Sequence, residues 1–156
     1  MKINKKWAMP SKDTFTIKPI AELLKNYLGY VNCGKGWIDP FAGDNSPAEF
    51  TNDLNPNKPT KYHLEASEFI KSLPSYMKFD GALFDPPYSL RQIMECYDGI
   101  GLVPDKKWAT TRFYTDAKDG LAKVIKLNGI CISFGWNTIG LGKGRGFEII
   151  EILLVA

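Results

Sequence analysis

The tetrapeptide Asp85-Pro86-Pro87-Tyr88 carries the residue types and order in this chain best suited to chemistry. At average residue frequencies it arises by chance in roughly one chain in a thousand of this length. A strand-ending turn accounts for the two prolines, but not for an acid before them and an aromatic after them. A carboxylate and a neighbouring carbonyl that both accept N–H protons from a ring amine favour a pyramidal nitrogen, with its lone pair aimed outward. Asp85 supplies the carboxylate. Pro86 supplies a carbonyl held in a rigid loop, because proline fixes its own φ and restricts the residue before it. Tyr88 offers a face for an unstacked base, worth about 1–3 kcal/mol, and an amine inside a helix is reached only by taking its base out of the stack. Asp85, Pro86, Pro87 and Tyr88 form the predicted catalytic set.

Such a tetrapeptide needs a scaffold that holds it in place. Gly81-Ala82-Leu83-Phe84 before it is a continuous apolar run, as are Gly36-Trp37-Ile38-Asp39 and Gly129-Ile130-Cys131-Ile132-Ser133-Phe134. Short strands are also predicted over Glu49–Asp53, Lys61–Leu64 and Phe147–Val155. Pro19 fits the first turn of a helix carrying Ile20, Leu23, Leu24, Tyr27 and Leu28, with Gly29 near its end. A second helical pattern covers Ala66–Leu73, and a third is capped by Asp116 and carries Leu121, Val124 and Ile125. Residues before Ile17 read as an extended arm, and Ser89–Thr115 as the least regular, most mobile segment. Apolar strands alternating with helices indicate one α/β domain over residues 1–156 with a largely parallel, doubly wound sheet. Ligands of such sheets collect at the carboxyl ends of the strands. Asp39, Asp53, Glu65, Asp85 and Gly135-Trp136-Asn137 all fall at or just past a predicted strand end.

On these motifs the chain resembles the amino-methyltransferases of the N6-adenine class, whose signature is the Asp-Pro-Pro-Tyr found at Asp85–Tyr88. The sister class acting on N4 of cytosine usually begins that motif with serine. Asp39-Pro40-Phe41-Ala42-Gly43 resembles the family's cofactor motif, and Thr16-Ile17-Lys18-Pro19-Ile20 its Lys-Pro element. The matching segments span roughly residues 15–137. The resemblance implies an abbreviated Rossmann-like methyltransferase fold, S-adenosylmethionine as cofactor, and DNA, single- or double-stranded, as acceptor. It implies a cofactor site of Phe15, Ile17, Lys18, Pro19, Asp39, Pro40, Phe41, Ala42, Gly43, Asn45, Asp53, Leu54, Glu65, Ala66 and Asp85. Phe41 and Gly43 would lie against the methionine portion, Asp53 would accept from the ribose hydroxyls, and Glu65 would sit near the cofactor's adenine amine.

The pattern departs from the family in three places. Asn45 stands where a second glycine is usual. Only Asp44–Asn52 separate Gly43 from Asp53, too few for the usual full helix plus strand, so a single turn around Ser46-Pro47-Ala48 is expected. No stretch is long enough for a target-recognition domain, which implies low sequence specificity or a protein partner that supplies recognition. The resemblance also implies one more antiparallel strand after the one ending at Val155, so an abbreviated fold or a trimmed chain is expected. Binding or degradation of the cofactor without base methylation is the alternative.

A net charge of +3 permits a polyanionic partner without requiring one. Basic residues recur at Lys2–Lys6, Lys106–Lys107, Arg112 and Lys143–Arg145. Within the glycine-rich segment 140–146, a surface hairpin and a phosphate contact through Lys143 and Arg145 are both open readings. Trp136 and Asn137 are candidates for lining the target-base pocket. Cys33, Cys96 and Cys131 form no CxxC, and His63 is the sole histidine. No zinc site, reduced and mostly buried thiols, and a cytoplasmic protein are therefore expected. The transfer chemistry requires no metal. No secretory signal or membrane span is legible.

Overall fold

The computed structural model describes residues 1–30, 33–103 and 112–156. In chain order the elements are β1 (Lys2–Lys6), a 3-10 turn at Thr14–Thr16, α1 (Lys18–Leu28), β2 (Trp37–Asp39), β3 (Phe50–Thr51), α2 (Ala66–Ser72), β4 (Phe79–Phe84), α3 (Leu90–Asp98), α4 (Arg112–Val124), β5 (Ile125–Ser133), a 3-10 turn at Lys143–Arg145, and β6 (Glu151–Val155). The main sheet has the order β3-β2-β4-β5, and β1 pairs with β6 in a separate ribbon. Every one of these pairings is parallel. The protein is thus α/β, with parallel sheets flanked by helices.

Successive strand residues point to opposite faces, and both faces of this sheet are covered. Trp37, Leu83 and Ile132 meet Ile20, Leu24 and Leu28 of α1. Ile38, Ala82 and Phe84 meet Phe69 and Ile70 of α2 and Ala117 and Leu121 of α4. Burial on both sides is why these strands read as unbroken apolar runs. Gly81 allows the strands to close up: a Cβ there would come within 2.6 Å of the Trp37 ring and 2.7 Å of the Ile130 carbonyl oxygen.

The chain runs from β2 outward to β3, then crosses back to β4 and on to β5. The strand order therefore reverses between β2 and β4. Connections diverge from the carboxyl ends of those two strands and leave a crevice there.

Several sequence expectations change. Residues 90–98 are helical, because Ser89 accepts from the Gln92 N–H as N-cap and Ile93 and Tyr97 bury one face. The rest of the segment predicted to be mobile, at 104–111 with Lys106 and Lys107, lies outside the described residues. Asp116 is interior to α4, not its cap, since the buried face extends back through Ala117 to Tyr114, and Ile125 opens β5. Lys61–Leu64 contributes only a single bridge, Asn52 to Tyr62. The final strand is limited to Glu151–Val155 and pairs with the N-terminal segment instead of the main sheet.

Candidate active site

The loop leaving β2 is organised from below by Asp39. This fully buried carboxylate accepts the Phe41 N–H at 2.9 Å and the Ser46 hydroxyl at 2.6 Å. Burial pushes the Asp39 carboxyl up to about 7, the charges of Asp85 and Asp53 add to the rise, and the two hydrogen bonds oppose it. With Ser46 drawn down onto Asp39, the turn falls at Gly43–Asn45, not at Ser46-Pro47-Ala48 as expected. Asp53 closes the loop from the other side: its two oxygens accept the Gly43 N–H at 3.0 Å and the Asn55 N–H at 2.8 Å. A carboxylate has about four acceptor sites, so each oxygen retains capacity for a ligand hydroxyl.

Sequence reasoning missed Asn52 as a site organiser. Its buried amide donates to the Pro40 carbonyl at 3.1 Å and the Leu64 carbonyl at 2.9 Å, and accepts the Leu64 N–H at 2.9 Å. One side chain thereby fixes the loops after β2 and β3 and the entry to α2. At that entry Glu65 accepts the Ser67 and Glu68 N–H groups and the Ser67 hydroxyl, as an N-cap does.

The motif Asp85–Tyr88 follows β4 directly. Burial raises the Asp85 carboxyl above the usual carboxylate range, while hydrogen bonds from the hydroxyls of Tyr88 and Thr14 pull it back. Burial and the Asp85 charge push the Tyr88 phenol upward. The Tyr88 N–H donates to Gln92 Oε1 at 2.7 Å, and the Tyr114 hydroxyl donates to the Pro87 carbonyl. Helices α3 and α4 thus grip the motif from two sides. Gly135, at the exit of β5 with φ +152°, lies against the Tyr88 ring; a Cβ would sit 3.3 Å from its Cε1.

Two adjoining cavities open over these strand ends. The larger, about 480 Å³, is bounded by Phe41, Asp53, Glu65, Asp85, Pro86 and Tyr88, and Pro40, Leu54, Ala66 and Pro87 complete the predicted residues on its wall. Its volume is that of a small-molecule site. The smaller, about 170 Å³, is bounded by Phe15, Phe41, Ala42, Gly43, Asn45 and Asp85. Thr14, Phe41 and Asp85 border both. Helix α3 supplies the unpredicted wall of the larger cavity through Gln92, Glu95, Cys96 and Tyr97. Its sequence signal was the capping pattern Ser89-x-x-Gln92 with Ile93 and Tyr97 four apart.

Other predicted residues lie elsewhere. Asp39 lines neither cavity, because its oxygens serve its own loop. Ile17 packs into the α1 core, and Lys18 and Pro19 form the first turn of that helix. Trp136, 92% exposed, and Asn137, which accepts the Ile139 N–H, project beyond the cavity walls. Arg145 pairs with Asp119 at 2.6 Å and donates to the Leu141 carbonyl, so its guanidinium is already engaged within the protein. Leu141 anchors the glycine-rich segment in the core and makes it a 3-10 turn, not a hairpin; Lys143 remains exposed. Cys33 and Cys96 are exposed, contrary to the expectation of mostly buried thiols, and Cys96 faces the larger cavity.

The cavity walls carry six carboxylates, Asp13, Asp44, Asp53, Glu65, Asp85 and Glu95, against two lysines, Lys12 and Lys58. Lys58 is already paired with Asp44 at 2.6 Å. This field suits a cationic or hydroxyl-bearing ligand and opposes a polyphosphate. Among the described residues no group of three or more His, Cys, Asp or Glu could hold a metal, and no helix is long and apolar enough to cross a membrane. No family model, curated protein or solved structure matches the chain.

Proposed function

We propose that this protein binds S-adenosylmethionine across the β2 and β4 strand ends and methylates the N6 amine of adenine in DNA, within a Rossmann-like methyltransferase fold. The observation that carries the reading is that Asp85 borders both cavities, on a wall shared with Phe41. A cofactor filling one cavity and reaching the other would bring its reactive carbon to the carboxylate.

The donor set fits that cofactor. Asp53 has acceptor capacity for ribose hydroxyls, Phe41 and Leu54 supply apolar surface for a purine, and the acidic walls complement a sulfonium cation. Bound S-adenosylmethionine supplies an electrophilic methyl group whose carbon–sulfur bond breaks to leave a neutral thioether. Asp85 and the Pro86 carbonyl accept the two amine N–H bonds and aim the nitrogen lone pair at that carbon. As the new N–C bond forms, the surplus amine proton passes to the Asp85 carboxylate and on to water. Tyr88 holds the extruded base by stacking, once its hydroxyl has yielded its place on Asp85. Holding the two reactants in a near-attack geometry supplies much of the rate.

A second reading, binding or breakdown of the cofactor without transfer to a base, is favoured by one observation: the Tyr88 hydroxyl already occupies Asp85. Calorimetry with S-adenosylmethionine, followed by tritiated-methyl transfer to DNA, RNA and protein and nucleoside analysis of the product, separates the two. N6-methyladenine in DNA supports the proposal. Binding without transfer to any acceptor supports the second reading.

A further inference from the structure

Residues 1–12 contain four lysines and no acid. Lys2, Lys5, Lys6 and Lys12 are all exposed, and among the described residues none is paired with a carboxylate. Trp7 stands among them, 76% exposed. This segment is held firmly. β1 is paired along its length with β6. Glu151 accepts from the Asn4 amide at 2.7 Å and the Tyr27 hydroxyl at 2.6 Å, tying the ribbon to α1. Beyond it, the Ala8 N–H donates to the Ala156 carbonyl at 3.2 Å. The chain then runs to Lys12, on the wall of the smaller cavity.

We propose that β1 and the segment up to Lys12 form a contact surface for the DNA backbone, with lysines on phosphates and Trp7 against an exposed base or sugar. Ten residue steps from Lys2 to Lys12 limit their separation to about 35 Å. Nucleotides along one strand repeat every ~3.4 Å, so the contacts fall within about ten nucleotides of a base held at the Asp85 cleft. The surface positions the nucleic acid without reading its sequence. Side chains alternate along a strand, which places Lys2 and Lys6 on one face and Lys5 on the other. No face of the ribbon is therefore free of charge, and this favours a polyanion over insertion into a lipid interface. Lysine on a free strand edge also discourages edge-to-edge pairing, a role that leaves DNA affinity untouched.

The partner named here rests on the proposed DNA acceptor, and the test is chosen to fail separately from it. Affinity of the full chain for a short labelled duplex of random sequence is measured by anisotropy between about 50 and 200 mM salt, for the wild type and for K2Q/K5Q/K6Q. Each phosphate contact contributes a slope of about −0.9 to log K against log salt. The triple variant is expected to have a slope shallower by about 2.7, so the wild type loses roughly 40-fold more affinity over that range. W7A is expected to lose at least about fivefold on single strands. Equal slopes for wild type and triple variant overturn the proposal, as does tighter binding of the wild type to anionic lipid vesicles than to duplex. A shallower slope without methyl transfer leaves this surface standing and removes the proposed reaction; transfer with an unchanged slope does the reverse.

Discussion

Asparagine in place of Asp39 tests the electrostatics beneath the loop after β2. Burial is the main reason the Asp39 carboxyl sits near 7 instead of 3.8. In the unfolded chain the group ionises near its ordinary value. As pH rises from about 4 to 7 the unfolded state therefore gives up its proton first, and stability falls. The contribution is fully present below the unfolded value and lost as pH passes the folded one. At 1.36 kcal/mol per decade the separation amounts to ~4 kcal/mol. The substituted amide would retain an oxygen for the Phe41 N–H and offer its NH₂ group to the Ser46 oxygen, so the loop keeps its hydrogen bonds while the ionisation disappears. For a chain of this size 1 kcal/mol moves the melting temperature by about 2–4 °C. Between pH 4 and pH 8 the melting temperature of D39N should therefore gain roughly 8–16 °C on the wild type, read by scanning calorimetry. Subtracting the two curves cancels the titrating groups that do not interact with Asp39, leaving its own ionisation and its smaller coupling to Asp85 and Asp53. Parallel curves across that range would refute the reasoning.

Two further outcomes follow from the site and core. Tyr88→Phe removes a hydrogen bond that lowers the Asp85 carboxyl in the free enzyme, so the acid limb of the kcat/KM profile for methyl transfer should move to higher pH while that of kcat stays in place, and Tyr88→Ala should weaken DNA binding by ~1–3 kcal/mol; an unmoved kcat/KM limb in the phenylalanine variant would separate Tyr88 from Asp85. Leu141→Ala should destabilise the fold by about 2–5 kcal/mol in urea, because this 3% exposed side chain anchors the glycine-rich segment; a cost below about 0.5 kcal/mol would show that segment to be a loose surface loop.

Local signals carried much of the fold. Pro19 and Gly29 bracket α1, and the runs ending at Asp39, Phe84 and Ser133 became strands buried on both faces. What the sequence hid depends on distant partners. The face of α3 has only Ile93 and Tyr97 to mark it, and they are buried by Phe41, Leu54 and Tyr114 from other parts of the chain. The pairing of β1 with β6 joins the two ends of the chain, and nothing local specifies that register. The same holds at the site. The motif at Asp85–Tyr88 and the loop at Phe41–Gly43 announce themselves, and they do meet at one cavity. The strand-end acid Asp39 looks like a ligand-facing group until Ser46, seven residues on, is seen to claim it. Arg145 likewise reads as an unpaired cation until Asp119, on α4, is found beside it.

The most direct test of the central claim measures methyl transfer and cofactor affinity together in Asp85→Ala. The proposed role gives no detectable N6-methyladenine in DNA, with S-adenosylmethionine affinity within a few-fold of the wild type. Near-normal turnover by that variant would contradict the assignment of Asp85 to the acceptor amine.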